Sequence, residues 1–538
     1  MPESLTDWVT LQAGRRPDAV AVVGEGHALS YGDLEARSNQ LARVLCEAGC
    51  ERGDRVGLLV PKSPEAIVAL LGIYKAGCIY VPLDSSSPAA RLEKIIASCR
   101  PACIVASAGV SRLVGELAAA VSNGPASVPI GWVDEGPADG TGATVLFAAR
   151  DLACAPAAPL DRAGAGREPA HILYTSGSTG EPKGVVITYA NVIPFIEWAV
   201  RTFGIGPSDR LSCHPPLHFD LSVFDIFGAF AAGAQLHLVP PAMSLLPNRL
   251  ADFIRASGLT QWFSVPSVLT YMAKFGVVGF DDFPALKRLL WCGEVFPAPV
   301  LIEWMKRLPH VTFTNLYGPT ETTIASSYYT LPSCPADARR PIPIGAACDG
   351  EELLVLDENL NALPEGQVGN LFIGGVGLSP GYWNDPGKTR EVFLDPPAGA
   401  GRGRLYRTGD LAWRGADGQV YFAGRSDTQI KSRGYRIELG EVEACLDSLD
   451  SIREGAIVAI PTSGFEGAMI CCAYVPAPRT DANPVTLRQR LGRLLPVHML
   501  PSRWMAFERL PRNGNGKIDR ASLTRQFESH EAVAAREL

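Results

Sequence analysis

The stretch His171-Ile-Leu-Tyr-Thr-Ser-Gly-Ser-Thr-Gly-Glu-Pro-Lys-Gly-Val-Val-Ile-Thr188 carries residue types suited to holding a multiply charged anion. From Thr175 to Gly184 it contains three glycines, four hydroxyl side chains and one lysine. Glycine lets a backbone take positive φ and pass close to a bulky group. Successive N–H groups and hydroxyls then line the anion, and Lys183 adds a mobile positive charge. A flexible Ser/Gly turn is the ordinary reading of a lone Gly-rich loop. Here apolar segments flank the loop, and it ends in Pro182-Lys183-Gly184. The GxxxxGK[ST] spacing is absent, because Gly184 follows Lys183. β-branched Val185-Val186-Ile187 predicts a strand after the loop, not a helix.

Four further acids and bases stand in chemically suggestive settings. Asp220 lies early in the apolar run Pro215–Phe227, where a carboxylate is costly to bury unless paired. On the residues alone it reads as a helix N-cap, with Ser222 helping. Glu321 follows a Gly318-Pro319 turn in Asn315-Leu-Tyr-Gly-Pro-Thr-Glu-Thr-Thr323, a loop at a strand end; alone it reads as a solvated loop acid. Asp410 closes Arg407-Thr-Gly-Asp410, where local hydrogen bonding is the usual role. Lys517 sits in the Gly-rich loop Leu510–Arg520 and by itself reads as solvent-exposed.

The elements that must position these residues follow from size and pattern. At 538 residues the chain holds about three to four domain-sized units, and 47% hydrophobic residues suffice for buried cores. A net charge of −7 gives no basic footprint, which argues against a nucleic-acid partner. No basic and apolar leader opens the chain, and no apolar run approaches the ~18 residues of a membrane span. Thirteen cysteines without a CxxC pair, and no clustered histidines, predict reduced and mostly buried thiols in a cytoplasmic protein. Residues 19–23 and 28–31 predict a hairpin. A helix is expected to end at Gly49, then a strand at 55–60, then a helix to Lys75 capped by Ser63-Pro64-Glu65. Alternation continues to about residue 155, implying a largely parallel α/β sheet. Residues 136–168 read as a loop, and a helix is expected from Asn191 to Phe203. From Glu441 the order is helix, strand, strand, helix, strand, a small α+β unit.

Together these segments closely resemble the adenylate-forming superfamily: acyl- and aryl-CoA synthetases, luciferases, and adenylation domains of nonribosomal peptide synthetases. The resemblance spans roughly residues 10–520, and includes Lys75–Asp84, Gly374–Asn384 and Phe422–Glu441. It implies an N-terminal domain of layered α/β sheets with a small distorted β-barrel, residues 1–426, and a small mobile α+β lid, residues 427–538, hinged at Asp427. Thr175, Ser176, Gly177, Ser178, Thr179, Gly180 and Lys183 would hold the phosphates of ATP. Gly293, Glu294 and Tyr317 would lie against adenine, with Asn315, Gly318, Asp410, Phe422, Arg425 and Lys431 completing the nucleotide site. Asp410 would bind both ribose hydroxyls. Thr320 would contact phosphate, and Glu321 would hold Mg2+, a hard cation needing few protein ligands. Lys517 would bridge the substrate carboxylate and the α-phosphate. Gly434 would border the channel of a pantetheine arm. Two positions depart from the family pattern: Tyr189 replaces a usual histidine, and Ser432 replaces a usual apolar residue.

In amino-acid-activating members, the counterpart of Asp220 pairs with the α-ammonium, whereas fatty- and aryl-acid enzymes generally lack it. The resemblance places Leu221, Phe224, Ser264, Leu290, Cys292, Leu316, Ile324 and Ala325 around the side chain, with Lys517. That lining is mostly apolar and large, which favours alanine, 2-aminobutyrate or valine, leaving proline and cysteine open. The expected reaction is amino-acid adenylation, then transfer to the phosphopantetheine thiol of a separate carrier protein, in nonribosomal peptide or antibiotic biosynthesis. The chain reads as free-standing or excised from a larger synthetase, and an MbtH-like activator is left open. The alternatives are an acyl- or aryl-CoA synthetase and a non-catalytic nucleotide-binding protein.

Overall fold

The computed structural model describes residues 2–121, 128–136, 141–177, 180–396, 403–462, 467–514 and 516–534. The chain forms two compact units. The first comprises residues 1–85, 96–174 and 184–426; the second comprises 86–95, 175–183 and 427–538.

Two large sheets and a smaller one build the first unit. The eight-stranded sheet places the parallel strands Pro169–Thr175, Ile79–Pro82, Arg55–Leu59, Cys103–Ala106 and Ile130–Trp132 side by side. Lys183–Thr188 forms the strand expected after the Gly-rich loop. A nine-stranded sheet contains the parallel neighbours Gln235–Leu238, Arg210–Cys213, Gln261–Ser264, Arg288–Trp291 and Thr312–Tyr317. The expected hairpin, Val20–Val23 with Ala28–Ser30, lies at its edge. Helices follow the strands as the alternation predicts. Pro64–Lys75 is capped by Ser63, whose hydroxyl accepts the Ala66 N–H, a contact worth about 1 kcal/mol. Helix Tyr189–Phe203 ends at Gly204 with φ 59°, the left-handed stop that glycine makes cheaply.

The third sheet is antiparallel and five-stranded, built on Glu351–Leu356, Gly369–Gly375 and Leu405–Arg414. Bulges at Asn370/Phe372 and Leu411/Ala412 bend it, which gives the distorted small barrel its shape. The 136–168 loop is corrected in part. It contains strand Val145–Phe147 and helix Ala149–Cys154, with the Phe147 side chain buried. Gly, Ala and Pro density hid this short strand. The second unit pairs Ile452–Pro461, Ala468–Pro476 and Arg503–Ala506. Helices Leu439–Asp447, Pro484–Leu491 and Arg520–Ala534 accompany them. The last of these was not foreseen. All thirteen cysteines are free thiols and most are buried. Cys99 ends helix Ala89–Cys99, and Cys103 begins strand Cys103–Ala106. Among the described residues no helix is long and apolar enough to cross a membrane.

Candidate active site

In the first unit, the strands Gln261–Ser264, Arg288–Trp291 and Thr312–Tyr317 run parallel, with Phe263, Leu290 and Thr314 in register. Their carboxyl ends are therefore level, the place where open α/β sheets bind ligands. Ser264, Cys292 and Leu316 leave these ends. Leu221, Phe224, Leu290, Cys292, Leu316, Ile324 and Ala325 all belong to one buried core, each at most 5% exposed. Phe224 packs edge-on against Phe195 and Phe263. Ser264 is out of phase with Leu290 and Cys292, since its ladder partner is Trp291. Its hydroxyl accepts the Trp262 indole N–H at 2.9 Å, a contact within the protein itself.

Asp220 is the first residue of helix Asp220–Ala232, not its N-cap; that position is Phe219, with no capping side chain. Ser222 gives it no help. Its hydroxyl donates to the carbonyls of Phe219 at 2.7 Å and Leu217 at 3.3 Å. The local reading of Asp220 is thus corrected. Half-buried at the helix start, Asp220 accepts the Thr320 hydroxyl on Oδ2 at 2.8 Å. Two residues foreseen for different ligands therefore touch.

Thr320 belongs to a turn of 3-10 helix, Thr320–Thr322, just past strand Thr312–Tyr317. Glu321 is fully buried, contrary to a solvated loop acid. Its Oε1 accepts the Tyr382 hydroxyl at 2.7 Å, and its backbone carbonyl accepts the Ser379 N–H at 2.9 Å. Among the described residues no group of three His, Cys, Asp or Glu side chains is placed to hold a metal. One hard carboxylate is the donor set that suits Mg2+, which takes its other ligands from phosphates and water. Gly318 is required sterically: a Cβ there would lie 2.6 Å from the Ala325 Cα.

After this turn the backbone is strained. Thr323 and Ile324 have φ of 63° and 70°, unfavourable for β-branched residues and worth ~1–3 kcal/mol each. Surrounding contacts hold them. Thr323 donates its hydroxyl to the Gly377 carbonyl at 2.6 Å, and the Gly377 N–H donates to Glu351 Oε1, also at 2.6 Å. Burial pushes the Glu351 carboxyl up to about 8. Sequence reading missed Thr323, Gly377 and Glu351, because only the fold brings them together.

Asp410 lies inside strand Leu405–Arg414 and does not close a turn. Its Oδ1 accepts from Arg425 at 2.6 Å, and its Oδ2 accepts the Tyr317 hydroxyl. Burial and the Asp410 carboxylate hold the Tyr317 phenol well above its usual range, so it stays a donor. Phe422 packs against the cluster containing Tyr317. Asn315 donates to the Pro343 carbonyl at 2.8 Å. Gly293 has φ 94°, and Glu294 accepts the N–H of Ser267 in the first turn of helix Pro266–Lys274. Two groups went unforeseen. Lys62 donates to the carbonyls of Cys213, His214 and Pro215 at 2.7, 2.8 and 3.3 Å, fixing the segment that leads to Asp220. Asp225 is buried with neither oxygen hydrogen-bonded to a described residue, and burial raises its carboxyl well above the usual range.

In the second unit, Thr175 ends strand Pro169–Thr175 with its hydroxyl buried and unbonded among the described residues. Ser176, Gly177, Gly180 and Lys183 follow; Ser178 and Thr179 lie outside the described residues. Gly180 takes φ 83°. Asp427 accepts the N–H of Gln429 at 3.0 Å. Lys431 lies on the hairpin Gln429–Ser432 with Tyr435–Glu438, and Arg433 and Gly434 turn it with φ of 54° and 80°. Ser432 is buried and donates to the Ala468 carbonyl at 3.2 Å, a polar partner that explains how it replaces an apolar residue. Lys517 is exposed in a tight loop, where Asn513 and Lys517 exchange backbone and side-chain hydrogen bonds.

The model of the family described as "AMP-binding enzyme" matches residues 9–383. The chain belongs to this family. It is an adenylate-forming ligase. Its relatives include the L-proline--[L-prolyl-carrier protein] ligase of Pseudomonas fluorescens, 33% identical over 519 residues, covering 96% of this chain and 97% of that protein. Tyrocidine synthase 1 of Brevibacillus parabrevis is 32% identical over 512 residues, covering 95% of this chain; the chain spans only 44% of that relative. Among solved structures, the Vibrio cholerae adenylation domain AlmE, in complex with glycyl-adenosine-5'-phosphate, superposes with a TM-score of 0.84. It is 26% identical and covers 98% of each chain.

Proposed function

We propose that this AMP-binding enzyme activates an amino acid as its aminoacyl adenylate, with release of pyrophosphate, and passes it to the pantetheine thiol of a carrier protein. The observation that carries the amino-acid reading is Asp220, a half-buried carboxylate at the start of an apolar helix with one oxygen engaged by Thr320. An α-ammonium is a partner that such a carboxylate can hold. The relative that ligates proline to a carrier protein, and the neighbour holding a glycyl adenylate, support the same class.

The substrate carboxylate attacks the α-phosphorus of ATP, the new C–O–P linkage forms, and the bond to pyrophosphate breaks. Catalysis is positioning and charge neutralisation. Residues 175–183 bind the departing phosphates, Asp410 the ribose, and Lys517 the developing charge between carboxylate and α-phosphate. Mg2+ on Glu321, when bound, offsets phosphate charge. Asp427 serves as a hinge about which residues 427–538 move Lys517 away, so that the thiol can enter past Gly434. Such motion gates the two half-reactions and leaves the chemistry itself to positioned charge. The apolar lining favours alanine, 2-aminobutyrate or valine.

Amino-acid-dependent ATP–pyrophosphate exchange tests this reading across all twenty amino acids, 2-aminobutyrate, D-alanine, and several fatty and aryl acids. Exchange with a small aliphatic amino acid, lost in Asp220→Ala, is the expected result. Exchange only with acids that lack an amino group would overturn it in favour of a CoA ligase.

A further inference from the structure

Three donors of the phosphate loop are engaged by acceptors of the second unit itself. Ser176 donates its hydroxyl to the Arg436 carbonyl at 2.7 Å and accepts the Glu438 N–H at 3.3 Å. The Gly177 N–H donates to Glu441 Oε2 at 3.2 Å. Lys183 Nζ lies 3.5 Å from Glu438 Oε1. A hydroxyl, a backbone N–H and an ammonium are the three donor types a phosphate would use. Here they face two carboxylates and a carbonyl.

Both carboxylates are built into place. Glu438 and Glu441 are 8% and 1% exposed, so each needs compensation. Glu441 gives its other oxygen to Arg91, and Glu438 Oε1 accepts from Gln429 at 2.6 Å. Glu438 is the N-cap residue of helix Leu439–Asp447, and Glu441 sits in its first turn. Two monoanions from one helix start thus rest on a loop suited to a diphosphate.

We propose that Glu438 and Glu441 compete with the diphosphate of ATP and pyrophosphate for this loop. Nucleotide binds when the pair lets go, and the return of the pair displaces pyrophosphate once the adenylate has formed. No bond is made or broken in this step; one anion replaces another. The assignment rests on residues 175–183 being the phosphate loop of the proposed reaction.

The test is calorimetric binding of inorganic pyrophosphate to the full chain, with no amino acid present. Glu438→Gln and Glu441→Gln each remove one competing charge and should tighten binding about tenfold, and the double variant more than either alone. Glu441→Asp keeps the charge but withdraws the oxygen by one methylene, and should tighten binding several-fold; it guards against a Gln variant that fails to fold. Glu443→Gln controls for net charge, since Glu443 on the same helix pairs with Arg520 at 2.6 Å, and it should leave binding unchanged. Unchanged or weaker binding in the Glu438 and Glu441 variants would overturn the proposal, as would equal tightening in Glu443→Gln. Failure of wild-type amino-acid-dependent exchange would instead remove the functional reading and leave this comparison standing.

Discussion

Asp410→Asn separates the charge of one carboxylate from its shape. Asp410 is 4% exposed and its two oxygens engage Arg425 and Tyr317. Removing one partner of a buried pair costs ~3–5 kcal/mol. The amide keeps one acceptor, which reduces the loss to about 2 kcal/mol of folding stability. With an unfolding entropy of ~2.1 cal/mol/K per residue over ~400 residues, that lowers the melting temperature by about 2 °C. Nucleotide binding should suffer separately. Each ribose hydroxyl donating to an amide instead of a carboxylate loses ~1 kcal/mol, so two hydroxyls raise KM for ATP about 30-fold. The amino-acid KM should stay close to wild type.

The assay is ATP–pyrophosphate exchange with ATP, 2'-deoxy-ATP and 3'-deoxy-ATP. Wild-type enzyme should discriminate against both analogues, and Asp410→Asn should narrow both ratios because the charge that reads the hydroxyls has gone. A variant that binds ATP weakly but keeps the full wild-type ratios would refute the reasoning. Asp410 would then act only by ordering Arg425 and Tyr317.

Two further predictions concern other parts of the chain. Lys517→Ala should cripple adenylation but spare transfer from preformed adenylate to a carrier thiol; equal loss of both half-reactions would remove the role given to Lys517. Glu351→Gln should change how stability depends on pH. The folded state holds a proton on Glu351 up to about pH 8, whereas the unfolded chain loses it near pH ~4.5. Stability therefore falls as pH rises through this window and levels off above it. The variant lacks that slope, on the order of 4 kcal/mol between pH 5 and 8.5, so the wild-type melting temperature should drop about 5 °C further over that range. Parallel melting curves would count against a buried protonated Glu351.

Residues whose role depends on local backbone chemistry were legible in the sequence. Gly180, Gly293 and Gly434 stand at positive φ, and the Ser63 cap and the Gly204 stop lie at the helix ends the pattern predicts. The order of elements after Glu441 is likewise a matter of local periodicity. Acids were read less well, because an acid's meaning is set by partners far away in the chain. Glu321 alone looks like a solvated loop acid, yet Tyr382, sixty-one residues on, takes its carboxylate inside. Asp410 looks like a turn residue, yet it sits in a strand opposite Arg425 with the phenol of Tyr317 on its other oxygen. Glu438 and Glu441 lie in a segment read for its arginine, lysine and glycines, and their hold on Ser176, Gly177 and Lys183 spans some 260 residues. Lys62, Asp225 and Glu351 carry no pattern at all; what surrounds them in the fold makes them consequential. Charge that must be buried is paired wherever the fold provides a partner, and the unfamiliar chemistry of this chain is concentrated in the acids whose partners the sequence could not place.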